Sequence, residues 1–482
     1  MINFDKLNAF IDAHLEKNEI PGVQISVRKG GEEIFRREIG VRSAAKGEDG
    51  SQPRVEHDTI FGVASMSKGV TCAALAILQA EGKLSFNDRA DKYFPNLKVK
   101  GVPKESLRLS HLASHSCGVP PLPLMAWSLA WHSNYEYSNN RRELRKKEST
   151  TKVATVQDVV DYITAGDYTT LAQPGVMYSY SNDSFALLSA VVDVAAGEPL
   201  ESFLKKRIFE PLRMNHSGLY VNPYDARELG TVTELFERED ADGAEKKWVS
   251  DNEWDIAPPY RGTGWIASTA SDMATFYEAL CTKKLPGAEL IYGSHIAEYT
   301  DKLVYGYGMY KRPFNAPDGK TFHIVEHAGG LKGVATKGGF VKGSDGISAV
   351  VLSNWDEASI TPMLNAIYST VLGYEPDASH FFWTIPAGQT IGNPRAYVGK
   401  YSQREYFSGD IMIIERGGKL FKTEEEDGKT KETELLYCDG TRFVADGKVA
   451  YERRDSYEFL PDDTGFVRRL RQGSRVFTRV GV

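Results

Sequence analysis

The sequence is poor in cysteine and has no long run of apolar residues. Its 482 residues include 4 cysteines with no Cys-x-x-Cys pair. That pattern is typical of reduced thiols in a cytosol rather than of a disulfide framework. The first residues carry early acids and no apolar core, so we expect no signal peptide. No stretch approaches the length of a transmembrane helix. The expectation is a soluble cytoplasmic protein that does not bind membranes.

The sequence also lacks an excess of charge of either sign. It has 58 Lys and Arg residues against 65 Asp and Glu residues, and its formal net charge is −7. This balance argues against nucleic acid or an anionic membrane as a partner, because both select basic surfaces. We expect a small molecule or a short peptide as the ligand. A homo-oligomer is compatible with the sequence but unsupported by it.

The order of predicted elements indicates an α+β fold. An amphipathic helix over residues 3–17 and a hairpin over residues 21–35 are followed by helices. Strand candidates joined by Gly-rich turns come next, over residues 338–341 and 347–352. This order predicts an antiparallel sheet flanked by helices.

A second, β-rich segment follows a break in the pattern. Proline and glycine interrupt the chain near residues 374–394, and the remaining residues form about six to eight short alternating runs separated by turns. Such a series predicts a small β-barrel or sandwich. We therefore divide the chain into a first domain of residues 1–375, a linker of residues 376–394 and a C-terminal β-barrel domain of residues 395–482.

The most informative stretch runs from Phe61 to Gly82, where a turn-prone opening leads into a long apolar helical pattern. Ser65 and Lys68 are three residues apart, so their side chains share one face and the amine can reach the hydroxyl. The free amides at a helix start favour an oxyanion and disfavour a second positive charge. A desolvated lysine at this place could lose its proton and activate the serine as a nucleophile.

Ser-x-x-Lys alone is a weak signal, because composition predicts about one such pair by chance. The chain in fact holds four pairs: Ser43/Lys46, Ser65/Lys68, Ser149/Lys152 and Ser202/Lys205. Only the second pair opens a strongly apolar and well-terminated helix. The alternative is an ordinary helix-capping serine followed by a solvated lysine.

Two further motifs follow in the chain. Tyr180-x-Asn182 lies in a loop before a buried helix, and His327-x-Gly329-Gly330 lies where a turn should meet a strand. Each motif alone is more often structural, as a helix cap or as a turn whose histidine forms a hydrogen bond. Their order after Ser65 and Lys68 is what indicates a site.

With these motifs in this order, the chain resembles the serine β-lactamase and penicillin-binding-protein superfamily. The likeness is to its class C-like, peptidase S12-type branch of D-aminopeptidases, DD-peptidases and esterases. It covers about residues 5 to 372 and includes the phrases Leu112-Ala-Ser-His-Ser-Cys-Gly and Phe209-Glu-Pro-Leu-Arg-Met. The resemblance implies a β-lactamase/transpeptidase-like catalytic domain followed by a lipocalin-like barrel.

The resemblance also implies roles for the motif residues. Ser65 would attack a carbonyl and form an acyl-enzyme, while Lys68 and Tyr180 would share the proton transfers. Asn182 would orient Lys68 and a substrate amide. The backbone amides of Ser65 and Gly330 would form the oxyanion hole. No metal and no cofactor are implied.

The third motif narrows the substrate class. Gly329 and Gly330 would let a substrate lie close to the strand edge. His327 stands where the β-lactamase pattern has lysine, and a permanent ammonium suits the carboxylate of β-lactams better than a mostly neutral imidazole does. His-x-Gly is similar to the pattern of D-aminopeptidases and of some DD-peptidases and esterases.

The leading hypothesis is a serine hydrolase that acts on amides, with peptides containing a D-residue as the preferred substrates. An esterase of the same fold is the nearest alternative, and a catalytically silent binding module is an alternative of another class. A metal hydrolase is suggested by His111 and His115, four apart on a helix, but the glutamate of His-Glu-x-x-His is missing. An aromatic and then basic segment, residues 120–152, is either a lid or a surface insertion, and we favour a lid.

Overall fold

The computed structural model describes residues 2–132, 151–221, 225–239, 247–252, 254–293, 304–379, 391–405, 409–426, 429–445 and 456–481. Most of the predicted lid, residues 133–150, lies outside this described part of the chain. The helices are α1 Phe4–Asn18, α2 Ser67–Ala80, α3 Leu109–Ala113, α4 Leu124–His132, α5 Val156–Ala165, α6 Asn182–Ala196, α7 Leu200–Leu204, α8 Arg261–Gly264, α9 Ala270–Cys281, α10 Ala288–Ile291 and α11 Thr361–Val371.

The strands before residue 360 include a main antiparallel sheet. They are β1 Gly22–Lys29, β2 Glu32–Gly40, β3 Phe61–Gly62, β4 Gly218–Leu219, β5 Leu235–Glu239, β6 Lys247–Asp251, β7 Ile266–Ser268, β8 Val304–Tyr305, β9 Tyr310–Asn315, β10 Thr321–Leu331, β11 Val334–Val341 and β12 Ser348–Ser353. Within the described residues, seven of them form one sheet in the order β2-β1-β12-β11-β10-β9-β8. Every neighbouring pair in that sheet is antiparallel, as the sequence predicts.

The main sheet is covered by helices on both faces. Side chains alternate between the two faces along a strand. Along β12, Ala349 and Val351 pack with residues of α1 and α11, whereas Val350 and Leu352 pack with residues of α2 and α9. The central strands β11 and β12 are therefore buried along their whole length.

Helix α2 is buried more completely than its sequence suggests. Its apolar spacing predicts one buried side, but every residue from Ser67 to Leu78 is buried. The polar side chains on the other side, Lys68 and Thr71, donate to the backbone carbonyls of Thr263 and Gly262 in α8. Because these carbonyls satisfy them, a polar face can lie inside the domain.

The C-terminal segment forms a closed barrel, which confirms the predicted β-barrel. Its strands are β13 Gly399–Ser402, β14 Ile411–Arg416, β15 Lys419–Glu426, β16 Lys429–Asp439, β17 Arg442–Ala445, β18 Ser456–Pro461, β19 Val467–Gln472 and β20 Arg475–Gly481. The barrel has its own apolar core, which includes Tyr401, Phe443 and Phe459. Helix α11 ends at Val371 and β13 begins at Gly399. The proposed boundaries at residues 375 and 394 stay predictions.

Within the described residues, no helix has both the length and the apolar character needed to cross a membrane.

Candidate active site

Ser65 lies in a tight turn that the surrounding strands hold in place. The turn, Ala64–Met66, is a short 3-10 helix directly before α2. Ala64 has a φ of 47°, which is uncommon for a residue other than glycine and costs roughly 1–3 kcal/mol. Val63 holds the turn from both sides, because its N–H donates to the carbonyl of Ile266 and its carbonyl accepts from the Thr336 hydroxyl, both at 2.9 Å. This frame leaves Ser65 half-buried between fully buried neighbours.

Lys68 lies beside Ser65, as the spacing predicts. Its Nζ is 2.9 Å from Ser65 Oγ and donates to the carbonyl of Thr263 at 3.0 Å. The side chain has no exposed surface. Burial lowers the pKa of Lys68 well below its ordinary value, and the Arg475 guanidinium lowers it further, while Glu405 raises it. The uncharged amine, which can accept a proton, is thereby favoured.

Tyr180 completes the group around Ser65. Lys68 Nζ lies 4.9 Å from the centroid of the Tyr180 ring, and Ser65 lies close enough to the phenol to lower the phenol's pKa. Burial raises the pKa of Tyr180, so the phenol keeps its proton and can donate it. An alcohol, an amine and a phenol from two separate segments thus meet at one place.

Asn182 starts α6, directly after the N-cap residue Ser181. Its Nδ2 donates to Glu405 Oε1 at 3.1 Å. The partner is therefore a carboxylate from the barrel rather than a group of the first domain. The expected role of Asn182 in orienting Lys68 stays a prediction.

Strand β10 brings His327, Gly329 and Gly330 to the edge of the site, but the two glycines meet different surroundings. A Cβ at Gly329 would lie 2.4 Å from the carbonyl oxygen of Val63 and 2.9 Å from the Cβ of Ala64. A Cβ at Gly330 would meet no atom closer than 3.9 Å. Gly329 therefore allows β10 to pack against the turn that holds Ser65, whereas the space beside Gly330 is open.

A relay of hydrogen bonds sets the protonation of two buried histidines. The N–H of Ser181 donates to His115 Nδ1 at 3.1 Å, so the proton of this imidazole is on Nε2, which lies 3.1 Å from the Tyr305 hydroxyl. His327 Nδ1 lies 2.5 Å from the carbonyl of Ala328, which can only accept, so its proton is on Nδ1. The Tyr305 hydroxyl then donates to His327 Nε2 at 3.1 Å. The relay is complete with both imidazoles neutral.

The two histidines of the alternative metal-site hypothesis have other partners. His111 Nδ1 accepts from the backbone N–H of Arg108 at 3.2 Å and caps α3, while His115 belongs to the relay. In the described part of the chain, no cluster of three or more His, Cys, Asp or Glu side chains could hold a metal ion.

The barrel contributes two charged side chains that sequence analysis missed. Arg475, the first residue of β20, lies with its guanidinium 4.7 Å from the centroid of the Tyr180 ring. It forms a bidentate ion pair with Glu405, in which Nε donates to Oε2 and Nη2 donates to Oε1 at 3.2 Å. Only 5% of Glu405 is exposed. No local motif marks either residue, so nothing in the sequence could have identified them.

Backbone contacts hold the barrel against the loop that carries Tyr180. The N–H of Tyr180 donates to the carbonyl of Ser474 at 2.8 Å. The N–H of Val476 donates to Ser179 Oγ at 3.3 Å, and Arg471 donates to the carbonyl of Tyr178 at 3.1 Å. The turn between β19 and β20 is therefore part of the wall of the site.

Comparison with known proteins gives a consistent result. A family profile described as Beta-lactamase matches residues 7–366. Penicillin-binding protein 4* of Bacillus subtilis (strain 168) is 24% identical over 336 residues, which are 67% of this chain and 65% of that protein.

Two solved structures show the same fold. The octameric penicillin-binding protein homologue from Pyrococcus abyssi superposes with a TM-score of 0.65 at 19% identity and covers 99% of both chains. The D-stereospecific amidohydrolase from Streptomyces sp. superposes with a TM-score of 0.57 at 20% identity, over 77% of this chain and 99% of the other. The first of these likenesses extends over the barrel as well.

Proposed function

The chain belongs to the β-lactamase family and is a serine hydrolase, and on that basis we propose that it cleaves amide bonds through an acyl-enzyme on Ser65. The contact of 2.9 Å between Lys68 Nζ and Ser65 Oγ, inside a site where Lys68 is fully buried, carries the proposal. A lysine in water would be charged and could not take the proton of an alcohol. Here burial supplies the base that the reaction needs.

The proposed reaction has two halves. In the first, Ser65 Oγ bonds to the substrate carbonyl carbon as its proton passes to Lys68, and the oxyanion is held by the backbone amides of Ser65 and Gly330. The carbon–nitrogen bond then breaks as the proton moves by way of Tyr180 to the leaving amine. In the second half, water attacks the ester, returns a proton to Ser65 and releases the acid.

Amides or short peptides with a D-residue are the proposed substrates. The likeness to a D-stereospecific amidohydrolase supports this choice, as does the neutral His327, which offers no permanent positive charge for the carboxylate of a β-lactam. No cofactor or metal takes part in the proposed steps. An esterase of the same fold is the alternative outcome, because esters need less protonation of the leaving group.

A panel of three substrates tests the proposal: D-alanine p-nitroanilide, L-alanine p-nitroanilide and p-nitrophenyl acetate. We expect the D-amide to be cleaved faster than its L-isomer. Ser65→Ala should lose about 10⁴–10⁶-fold in kcat. A fluorophosphonate should label Ser65, as located by peptide mass spectrometry. Turnover of the ester alone would leave only the esterase, and the absence of a covalent adduct on Ser65 would contradict the acyl-enzyme.

The homologue from Pyrococcus abyssi is octameric, and we include a homo-oligomer in the proposal. Light scattering tests the homo-oligomer, because its mass should be two or more times the 53.6 kDa of one chain. A mass equal to that of one chain would remove this part. The cytoplasmic location stays a prediction.

A further inference from the structure

We propose that Arg475 of the barrel is a positioning residue of the hydrolase, which supplies the active-site cation that β10 does not. Its guanidinium, oriented by Glu405, holds the Tyr180 phenol in place and repels a second positive charge at Lys68. The proposal rests on the proposed function, since it concerns the groups that would act on Ser65. It makes the barrel a part of the active site.

The first step is the charge of β10. Where the β-lactamase pattern has a lysine, this strand has His327, and the hydrogen-bond relay through Tyr305 is complete with His327 neutral. The strand edge next to Tyr180 therefore carries an imidazole in place of a permanently charged ammonium. A cation at this place has to come from another element.

The second step is the position of Arg475. Its guanidinium carbon and Lys68 Nζ both lie within 5 Å of the centroid of the Tyr180 ring, at 4.7 Å and 4.9 Å. The ring is thus in contact with both groups, and a cation near an aromatic face is attracted to it. The guanidinium carbon and Lys68 Nζ are therefore at most about 10 Å apart, and two positive charges at that separation in a largely buried site repel each other. Arginine does not give up its proton in proteins, so the lysine is the group that stays neutral.

Glu405 acts in the opposite sense and also fixes the geometry. Its carboxylate accepts hydrogen bonds from the Arg475 guanidinium on both oxygens, and it also accepts from Asn182 Nδ2 at 3.1 Å. The Arg475 charge lowers the pKa of Lys68 by more than the Glu405 charge raises it. The other titratable or charged groups around Lys68 are Cys72 on its own helix, Tyr180, His115 and His327.

Docking of the barrel does not depend on the Arg475 side chain alone. The carbonyl of Ser474 and the N–H of Val476, on either side of Arg475, bond to Tyr180 and Ser179. A change of the side chain therefore removes the charge and leaves the backbone contacts in place. This makes substitution of Arg475 an informative test.

The test is the pH dependence of kcat/KM, and of the rate at which a fluorophosphonate labels Ser65, in the full-length protein. Activity requires the neutral amine, so both rates rise with pH through the pKa of Lys68. Arg475→Gln removes a positive charge, which raises the pKa of Lys68. The acid limb, which is the part of the pH profile where both rates rise, should therefore move to higher pH. The loss relative to wild type should be largest at low pH and shrink as pH rises. Glu405→Gln should move the limb to lower pH.

Arg468→Gln is the matched control, because Arg468 is an exposed barrel arginine paired with Asp462 on the surface. It should leave the limb unchanged. Arg475→Lys keeps the charge without the planar fork, so its limb should lie closer to wild type than that of Arg475→Gln. Thermal unfolding monitors folding. If Arg475→Gln does not fold, the shift of the acid limb in Glu405→Gln decides whether the inference holds.

An unchanged acid limb in a folded Arg475→Gln, or a Glu405→Gln limb that does not move to lower pH, would overturn the inference while the proposed function stands. A wild-type protein that no fluorophosphonate labels at any pH would overturn both.

Discussion

The two sides of the site are built by different means. On the first-domain side, Ser65 and Lys68 are held by a buried frame of strands and by the fully buried helix α2. On the barrel side, Arg475 and Glu405 are held by an ion pair and by contacts across a domain interface. The first side carries the groups that would react, and the second side carries charges that act on them.

The residues that would react therefore lie on one side of the site, and the charged residues that would shift their pKa values lie on the other. Groups that must lie within hydrogen-bond distance of the substrate need a rigid support, because a shift of about 1 Å costs about 100-fold in rate. Charges act over longer distances, so a carboxylate and a guanidinium on a docked domain can tune a lysine without touching the substrate. Changes on the first side should therefore abolish activity, and changes on the second should alter its pH dependence.

The largest effect is expected on the first-domain side. Lys68→Met removes the base, so kcat/KM on the amide substrate should fall by about 10²–10⁴-fold. Met is close in volume and has no buried amine to satisfy, so the melting temperature should be kept or raised. Activity and thermal unfolding measured on the same preparation check both points.

Lys92→Met is the control for that variant, because Lys92 is an exposed lysine paired with Asp88. It should keep wild-type activity. Full activity in Lys68→Met would show that Lys68 is not the base.

The two glycines of β10 sharpen the comparison at the level of stability. Gly329→Ala places a Cβ 2.4 Å from the Val63 carbonyl oxygen, so it should lower the free energy of unfolding by about 1–3 kcal/mol. Gly330→Ala meets open space and should change it by less than about 0.5 kcal/mol. Urea unfolding of both variants measures the difference. Equal effects would mean that β10 does not press against the Ser65 turn.

A smaller effect is expected at Asp183, a buried carboxyl that should influence the pH dependence of stability and not the reaction. Burial raises the pKa of Asp183 to about 7, and Tyr260 donates to it at 2.7 Å. The folded state therefore binds the Asp183 proton more tightly than the unfolded chain does, because the pKa of this carboxyl in the unfolded chain is near 3.8. The resulting stability is full below pH 3.8 and is lost as pH rises toward 7. Between pH 6 and pH 8 the loss should be about 1 kcal/mol.

Asp183→Asn should remove that slope, as seen in melting temperatures at pH 6 and pH 8. Asp161→Asn, on the exposed face of α5, should keep it. A wild-type slope in Asp183→Asn would assign the titration to another group.

The sequence predicted the first-domain side well, because its signals are local. The hairpin of β1 and β2, the helix after Ser65 and the strands β11 and β12 all lie where periodicity and turn residues indicate them. The helix expected to carry both His111 and His115 ends at Ala113, because the chain turns at His115, which has a φ of 54°.

The barrel side was beyond sequence analysis. Arg475 and Glu405 lie in segments with no distinctive motif, and their meeting with Tyr180 depends on how two folded domains dock. The strain at Ala64 was equally hidden, since alanine does not mark a left-handed backbone as glycine does. Periodicity reports which residues are buried within an element, but it carries no information about which distant surface covers them.

The wide separation of the two sides along the chain has a consequence for synthesis. Arg471 follows Tyr178, which it contacts, by 293 residues. At roughly 5–20 residues per second, a ribosome needs about 15–60 s to cover that distance. During that interval the nascent protein already contains Ser65 and Tyr180 but not the Arg475 guanidinium that lies over the Tyr180 ring. If Arg475 acts on Lys68 as proposed, full activity at low pH should appear only after the barrel has been made and has docked.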